Sequence, residues 1–485
     1  MSDRDVETTA TTLYTFPLEM RTPLAFGRER ATELTLLRAG VTVRSFNGVE
    51  AVGWADVPLN VQWAWPSALS EEERRETLLS CAEEVATAWA NFDGWGHPLE
   101  LYVDFASTAF ERSRAAERVP KRARQLILSV LDMATHDAYG MLHGFPVYDT
   151  YNPRFMNRDL ATLLTGSSYA GEFALRYPAD YLTSDPQSRI LAWHMVGKED
   201  ELEEEELPAA VDGDGYPLSL RGWLRRDGIQ AVKIKLGGES REDNVARFFS
   251  VWEIARAEGV RLTSIDFNGT LPGLDELQRF LEELEARDPE ARKSVCYVEE
   301  PCPIEGCSPG PAELANRDFP LLILDESVST RQELEDAVGR GWRGVALKTC
   351  KGQSESLMML SLAKELGLRF TVQDLTNPML AQITHLLLGS RSSASLGLES
   401  NCMQFYPEAS LPEAAVHPKA YRRQDGELSV ESVRGPGFGY RLEEIDRPLP
   451  EPIFSVRRGE GERRALGGRG EPGQERERAG ERRGP

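Results

Sequence analysis

Three acids stand at the ends of three successive apolar runs: Asp266 after LTSI, Glu299 after SVCYV and Asp325 after LLIL. If these runs are neighbouring strands, the carboxylates converge, and unpaired they repel one another strongly. A divalent cation resolves that repulsion, and three monodentate oxygens, with water and substrate completing an octahedron, suit Mg2+. Any one acid alone reads as a helix cap or exposed ion pair; recurrence at the same place on consecutive runs reverses that reading. The run before them ends in Lys233-Ile-Lys235. Strand alternation puts residues i and i+2 on one face, so both amines point to the same place. Like charges close together disfavour protonation, so one ammonium should have a lowered pKa and act as a base near neutrality. Lys348 ends a run four places further along the series. A lysine on each side of a metal site supplies two acid/base groups for opposite faces of a bound substrate.

Positioning such residues requires a regular scaffold, and the chain from Ile190 supplies one. The runs ILAWHMV, AVKIKL, LTSIDF, SVCYVEE, LLILDE, GVALK, RFTVQD and ASLGLE each end near a polar residue. From Lys235 through Asp266, Glu299, Asp325, Lys348 and Asp374 to Glu399 the gaps are 31, 33, 26, 23, 26 and 25 residues. The segments between read as amphipathic helices: Val245, Phe248, Phe249 and Trp252 share one face, as do Leu274, Leu277, Leu281 and Leu284. Eight β/α units predict a closed parallel barrel whose active site lies at the carboxyl ends of its strands. No G-x-G-x-x-G turn follows an early strand, which counts against an open dinucleotide-binding sheet.

Ahead of the barrel, Glu33–Arg44 and Val49–Trp54 flank the turn Asn47-Gly48 and predict a hairpin. Glu71–Asn91 and Pro120–Leu142 predict helices, so this part is a compact α+β domain. The sequence divides into an N-terminal extension (1–12), the α+β capping domain (13–150), an insertion or connection (151–189), the barrel (190–405), a segment returning to the cap (406–456) and a tail (457–485). In the stretch 199–206 seven of eight residues are acidic, which predicts a solvated loop. The tail has nine Arg, six Glu and one sizeable apolar residue, Leu466, which predicts disorder.

A length of 485 residues exceeds one small domain, and 41% hydrophobic with 28% charged residues fits a globular protein. No apolar run approaches the length that spans a bilayer, so no membrane partner is expected. The net charge of −22 repels phosphate backbones and counts against a nucleic-acid partner. The first residues lack a basic stretch followed by an apolar one, so a cytoplasmic location is expected. Of six cysteines, Cys296, Cys302 and Cys307 cluster without metal-ligand spacing, and reduced thiols are expected.

The motifs VKIKLGG (Val232–Gly238), IDFNG (Ile265–Gly269), VEEP (Val298–Pro301), LDES (Leu324–Ser327) and LKTCKG (Leu347–Gly352), in that order, resemble the enolase superfamily, in particular its muconate-lactonizing subgroup. The hairpin, the segment Leu131–Asp149 and the segment Asp425–Leu442 resemble the cap of that family, so the likeness runs from about Leu13 to Ile445. It implies an α/β fold, a (β/α)7β TIM-type barrel with an α+β capping domain. It further implies Asp266, Glu299 and Asp325 as ligands of one Mg2+, Lys235 and Lys348 as the opposed acid/base pair, and Lys233 as the electrostatic partner of Lys235 that helps hold a substrate carboxylate. Asn268, Glu300 and Glu326 take supporting places, and Lys348 is preferred to Lys351 because it closes its strand.

Two departures bear on the substrate. Mandelate-racemase-like members end the seventh strand in His, whereas here Asp374 stands there and His385 follows as a packing residue. Dipeptide epimerases carry Asp-x-Asp after the eighth strand, where this chain has Glu399-Ser-Asn401. Asp374, Glu399 and Asn401 are therefore the substrate-binding candidates. The expected activity is Mg2+-dependent removal of the proton α to a carboxylate through an enediolate, giving racemisation, epimerisation, β-elimination or cycloisomerisation of a small carboxylate. The alternatives are a metal-independent aldolase with Lys348 as Schiff base, and a catalytically silent barrel. A homo-oligomer is expected by analogy alone.

Overall fold

A computed structural model describes residues 2–110, 117–204, 215–305, 307, 317–394, 396–460 and 463–464. The cap is an antiparallel sheet of β1 (Val6–Phe26), β2 (Glu29–Ser45), β3 (Glu50–Pro58), β13 (Phe454–Arg457) and β14 (Arg463–Arg464), in the order β14–β13–β1–β2–β3. The hairpin turn falls at Asn47-Gly48, with Arg44 paired to Glu50, and Gly48 takes the positive φ of 84° that the tight turn requires. The helix Glu71–Ala90 starts at a capping box between Ser70 and Glu73. The helix Lys121–His143 ends at Gly144 and lies against β2 and β3. There a Cβ on Gly53 would sit 2.0 Å from the backbone nitrogen of Ala138, so only glycine lets strand and helix approach this closely.

The barrel strands are β4 (Arg189–Val196), β5 (Ala231–Lys235), β6 (Leu262–Asp266), β7 (Val295–Glu299), β8 (Leu321–Ile323), β9 (Gly344–Leu347), β10 (Arg369–Val372) and β11 (Leu398–Glu399). All eight correspond to the runs read from the sequence. They are parallel in the order β8–β7–β6–β5–β4–β11–β10–β9, and a bridge between Leu324 and Val345 joins the two ends. A short strand β12 (Glu427–Ser429) pairs antiparallel with β4. Inside, Trp193, Ala231, Tyr297, Ile323 and Ala346 pack into a floor. Alternation then carries the inward face up each strand, from Ala231 to Lys233 and Lys235, Tyr297 to Glu299, Ile323 to Asp325 and Ala346 to Lys348. The apolar floor therefore fixes the height of the polar layer above it. No helix among the described residues is long and apolar enough to cross a membrane.

Several details differ from the sequence expectations. β1 begins at Val6, within the stretch read as an extension, because its partner β2 continues to Ser45. Residues 457–460, read as the start of the tail, are tied to the cap: Arg458 donates to Glu7 Oε2 (2.5 Å), Thr8 O (2.8 Å) and Ala90 O (3.1 Å). The rest of the tail reading, 461–462 and 465–485, lies outside the described residues. The acidic stretch is not simply solvated, since Asp200 accepts from Gly197 N at 2.8 Å and Glu203 pairs with Arg221 at 2.6 Å. Residues 205–214 of that region also lie outside the described residues. Cys302 and Cys307 are joined as a disulfide, against the expectation of reduced thiols, while Cys81, Cys296, Cys350 and Cys402 are free. The Cα atoms of Cys302 and Cys307 are 6.0 Å apart, within reach of such a bond.

Candidate active site

The register of the strands brings the sequence-predicted residues to one level. Lys235 pairs with Asp266 across β5 and β6, and Asp266 with Glu299 across β6 and β7. Lys235 Nζ lies 2.5 Å from Asp266 Oδ2. On the opposite side, Lys348 Nζ lies 2.6 Å from Asp325 Oδ2. Lys233, one layer deeper and fully buried, is ringed by Glu299 (2.8 Å), Glu399 (2.8 Å) and Asp266 (3.1 Å). Lys351, set aside in the sequence reading, also reaches the layer: its Nζ donates to Asp325 O (3.0 Å), Asp325 Oδ1 (3.1 Å) and Ala346 O (3.0 Å).

These contacts correct the expected electrostatics of the lysines. Burial opposes the charge on Lys233, but Glu299, Glu399 and Asp266 outweigh it and hold the ammonium well above its usual pKa. Lys348 is likewise desolvated yet raised, chiefly by Asp325. At Lys233 the carboxylates, not the neighbouring amine, dominate, so the lowering expected for one of the two β5 amines does not occur there. The acids divide into two sets. Asp266, despite burial, is lowered to about 2 by Lys235 and Lys233, and Asp325 is lowered by Lys348 and Lys351. Glu299 is raised by burial and by Asp266, and Glu326 by burial, Asp325 and Asp266. Glu300 is pushed up to about 8 by burial and by Glu326.

Supporting hydrogen bonds fix the carboxylates in place. Asn268 donates its backbone N–H to Asp266 (2.8 Å) and its amide to Glu326 (3.0 Å). Glu300 accepts from Asp325 N at 2.8 Å and from the Ser327 hydroxyl. Asn268 and Glu300 both adopt positive φ, 47° and 36°, and Thr376 and Met379 follow suit at 56° and 49°. Such conformations are costly for non-glycine residues and persist where the surrounding structure over-determines them. Gln373, absent from the sequence reading, donates to Glu299 Oε2 at 2.5 Å. Strand alternation from Thr371 would have turned it inward, but the end-of-run acid Asp374 drew the reading instead.

Asp374, Glu399 and Asn401 form a linked group. Asn401 donates its backbone N–H (2.9 Å) and amide (3.1 Å) to Asp374, and its amide also reaches Glu399 at 2.8 Å. Asp374 is pushed up to about 7 by burial and by Glu399. His385 lies behind the site, its Nε2 2.6 Å from Glu399 O, and burial lowers its pKa to about 4.

Glu299, Asp325 and Glu326 each offer an oxygen within 4.8 Å of the others, a grouping able to hold a metal ion. It differs by one residue from the set read from the sequence, because both β5 lysines engage Asp266 while Glu326 turns inward. A hard divalent cation fits this oxygen-only set. Two observations support the fit: Glu326 Oε2 and Asn268 Oδ1 are buried without a hydrogen-bond partner among the described residues, and burial together with Asp266 and Asp325 raises the pKa of Glu299 and of Glu326. Above the layer lies a small cavity of about 40 Å³, bounded by the lysines and acids below and by Leu24, Phe26 and Trp63 of the cap.

A comparison of the sequence with curated proteins finds no match. A family model described as enolase C-terminal domain-like, MR_MLE_C, matches residues 218–445. Among solved structures, a muconate lactonizing enzyme from Mucobacterium smegmatis is 17% identical with a TM-score of 0.60, covering 89% of this chain and 96% of that one. An N-succinyl Arg/Lys racemase from Bacillus cereus is 14% identical with a TM-score of 0.59, covering 93% and 100%. A dipeptide epimerase from Cytophaga hutchinsonii is 15% identical with a TM-score of 0.53, covering 81% and 86%. At these identities the structural likeness speaks for the fold. The matched segment contains the acids and lysines of the polar layer, and over residues 218–445 this chain carries an enolase C-terminal domain-like domain of the MR_MLE type.

Proposed function

We propose that the protein removes the proton α to a carboxylate on a small substrate, with Lys235 and Lys348 as acid/base groups on opposite faces. The observation that carries this reading is the placement of those two lysines. They sit on β5 and β9, four strands apart in a closed ring of eight, and each is paired to a different carboxylate beneath one cavity. Asp266, Glu299 and Asp325, with Glu326 beside them, are the residues that would hold Mg2+. Bound there, Mg2+ would supply Lewis-acid stabilisation of negative charge on the substrate carboxylate and would take up carboxylate charge that otherwise favours protonated Lys348. Lys233, held charged in its ring of acids, contributes a fixed positive charge below the reacting carboxylate. One lysine accepts the α-proton, and the other returns a proton to the opposite face or assists loss of a β-substituent. Asp374 and Glu399 line the cavity, and Asn401 holds both by hydrogen bonds.

The ligands of similar structures support the reaction class. The Mucobacterium enzyme is complexed with muconolactone, and the Cytophaga epimerase with Mg and the dipeptide D-Ala-L-Val. A Roseovarius nubinhibens protein of the same fold is complexed with magnesium. The Schiff-base alternative calls for a neutral Lys348, and the Asp325 ion pair opposes it. The test is α-proton exchange in deuterated water, with N-acyl amino acids, dipeptides and acid sugars, with Mg2+ and with EDTA. Exchange that requires Mg2+ is expected. Its absence throughout the series, with folded and metal-loaded protein, contradicts the proposal; borohydride trapping at Lys348 with full activity in EDTA favours the aldolase.

A further inference from the structure

The unpartnered polar atoms around the cavity sort by side. On the barrel side they include the acceptors Glu326 Oε2 and Asn268 Oδ1, which a bound cation accounts for. On the cap side there is a donor. Trp63 lines the cavity, is only 5% exposed, and its indole N–H has no acceptor among the described residues. A buried donor without a partner is costly and uncommon in a native interior. Indole carries no other polar atom and only donates, so no cation satisfies it.

The ring is also held in place. Its short helix, Val61–Ala64, starts at Asn60, whose side chain accepts from Trp63 N at 2.9 Å. The Arg122 guanidinium carbon lies 5.0 Å from the ring centroid and Lys348 Nζ lies 5.2 Å from it. Both are within the range of cation–π attraction. The N–H therefore belongs to a fixed ring beside one of the two end-of-strand lysines. The uncharged wall is mostly apolar, formed by Leu24, Phe26, Met195 and Leu375, with Asn60 and Thr376 as its polar members.

We infer that Trp63 is a specificity-determining residue, whose indole N–H donates to an acceptor oxygen that the substrate carries beyond its reacting carboxylate, on an otherwise apolar body. The inference rests on the carboxylate reading of the site. It selects short acids with a carbonyl or second carboxylate oxygen on a hydrocarbon frame. It excludes polyhydroxylated acids, which would press several hydroxyl donors against a mostly apolar wall.

The test uses the full chain loaded with Mg2+ and labelled with 15N at tryptophan. It is titrated with 4-oxopentanoate and 5-oxohexanoate, each beside the alkanoate of the same length. Trp63→Phe, or Trp63→Tyr if the first folds poorly, assigns the Trp63 indole peak. At least one oxo acid is expected to move that peak downfield and to bind roughly 5- to 100-fold more tightly than its alkanoate. In the variant, the affinity ratio is expected to fall towards one. Binding that leaves the wild-type Trp63 peak unmoved, or a ratio that survives the substitution, overturns the inference and leaves the carboxylate reading intact. Failure of all four acids to bind contradicts both.

Discussion

Asp325 is paired through both of its oxygens, one to Lys348 and the other to Lys351. Glu326, its neighbour in sequence, has one oxygen held by Asn268 and the other without a hydrogen-bond partner among the described residues. This asymmetry predicts a graded response to neutralisation. Asp325→Asn should abolish Mg2+ binding in calorimetry, because it removes a ligand charge and leaves two buried lysines facing an amide. Glu326→Gln should weaken binding by about 10- to 100-fold, the usual effect of disturbing a group that supports a metal site. Equal affinities for wild type and Glu326→Gln would remove Glu326 from the site. At this scale the sequence is most informative where a charge ends a strand: Asp266, Glu299, Asp325, Lys235 and Lys348 all arrive in the polar layer. It is silent where the partner comes from elsewhere in the chain. Nothing adjacent to Trp63 announces a contact with Lys348, some 285 residues away. The raised pKa of Lys233 was not legible for the same reason, since the acids that set it, Glu299, Glu399 and Asp266, lie on other strands.

Among the elements, the helix Lys121–His143 does most to fasten the cap. Its Ala134–Ala138 turn lies against Gly53 of β3, and its Asp137 accepts backbone N–H groups from Trp54 (2.9 Å) and Phe438 (2.8 Å). Gly53→Ala forces a methyl into helix backbone, which cannot rotate away. A loss of about 1–3 kcal/mol or more is expected, seen as a lower urea midpoint. Asp137 should also confer a pH signature. Burial pushes its carboxyl up to about 7 from 3.8, so the folded chain keeps a proton that the unfolded chain releases. Its stabilising share is complete below 3.8 and is lost as the pH rises through 7, at a slope of at most roughly 1.4 kcal/mol per pH unit. Between pH 5 and 7, wild-type unfolding free energy should therefore fall relative to Asp137→Asn. A difference that stays flat over this window contradicts the assignment. The two cap helices were visible from their patterns, and the hairpin from its Asn-Gly turn. β1 was not fully visible, because Val6–Thr12 looks like an ordinary polar leader until β2 and β13 pair with it.

For the molecule as a whole, the first strand and a strand from late in the chain meet in the cap sheet, where β13 pairs with β1 and Arg458 reaches Glu7, Thr8 and Ala90. A chain ending at Ile453 should accordingly melt below one ending at Arg464, and identical melting curves would show that the strand adds nothing. The regular spacing of strand ends made the barrel legible, because eight β/α units of similar length admit few other closures. The seating of the cap on that barrel was not legible, and it is the cap that completes the cavity. The central claim is that two lysines on opposite staves serve opposite faces of one substrate. The most direct measurement is deuterium exchange from each enantiomer of an exchanging substrate, in wild type, Lys235→Ala and Lys348→Ala. Each variant is predicted to lose exchange from one enantiomer by roughly 100- to 10,000-fold while still exchanging the other, with the enantiomers reversed between the two variants. Near wild-type exchange of both enantiomers by both variants would contradict the two-base account.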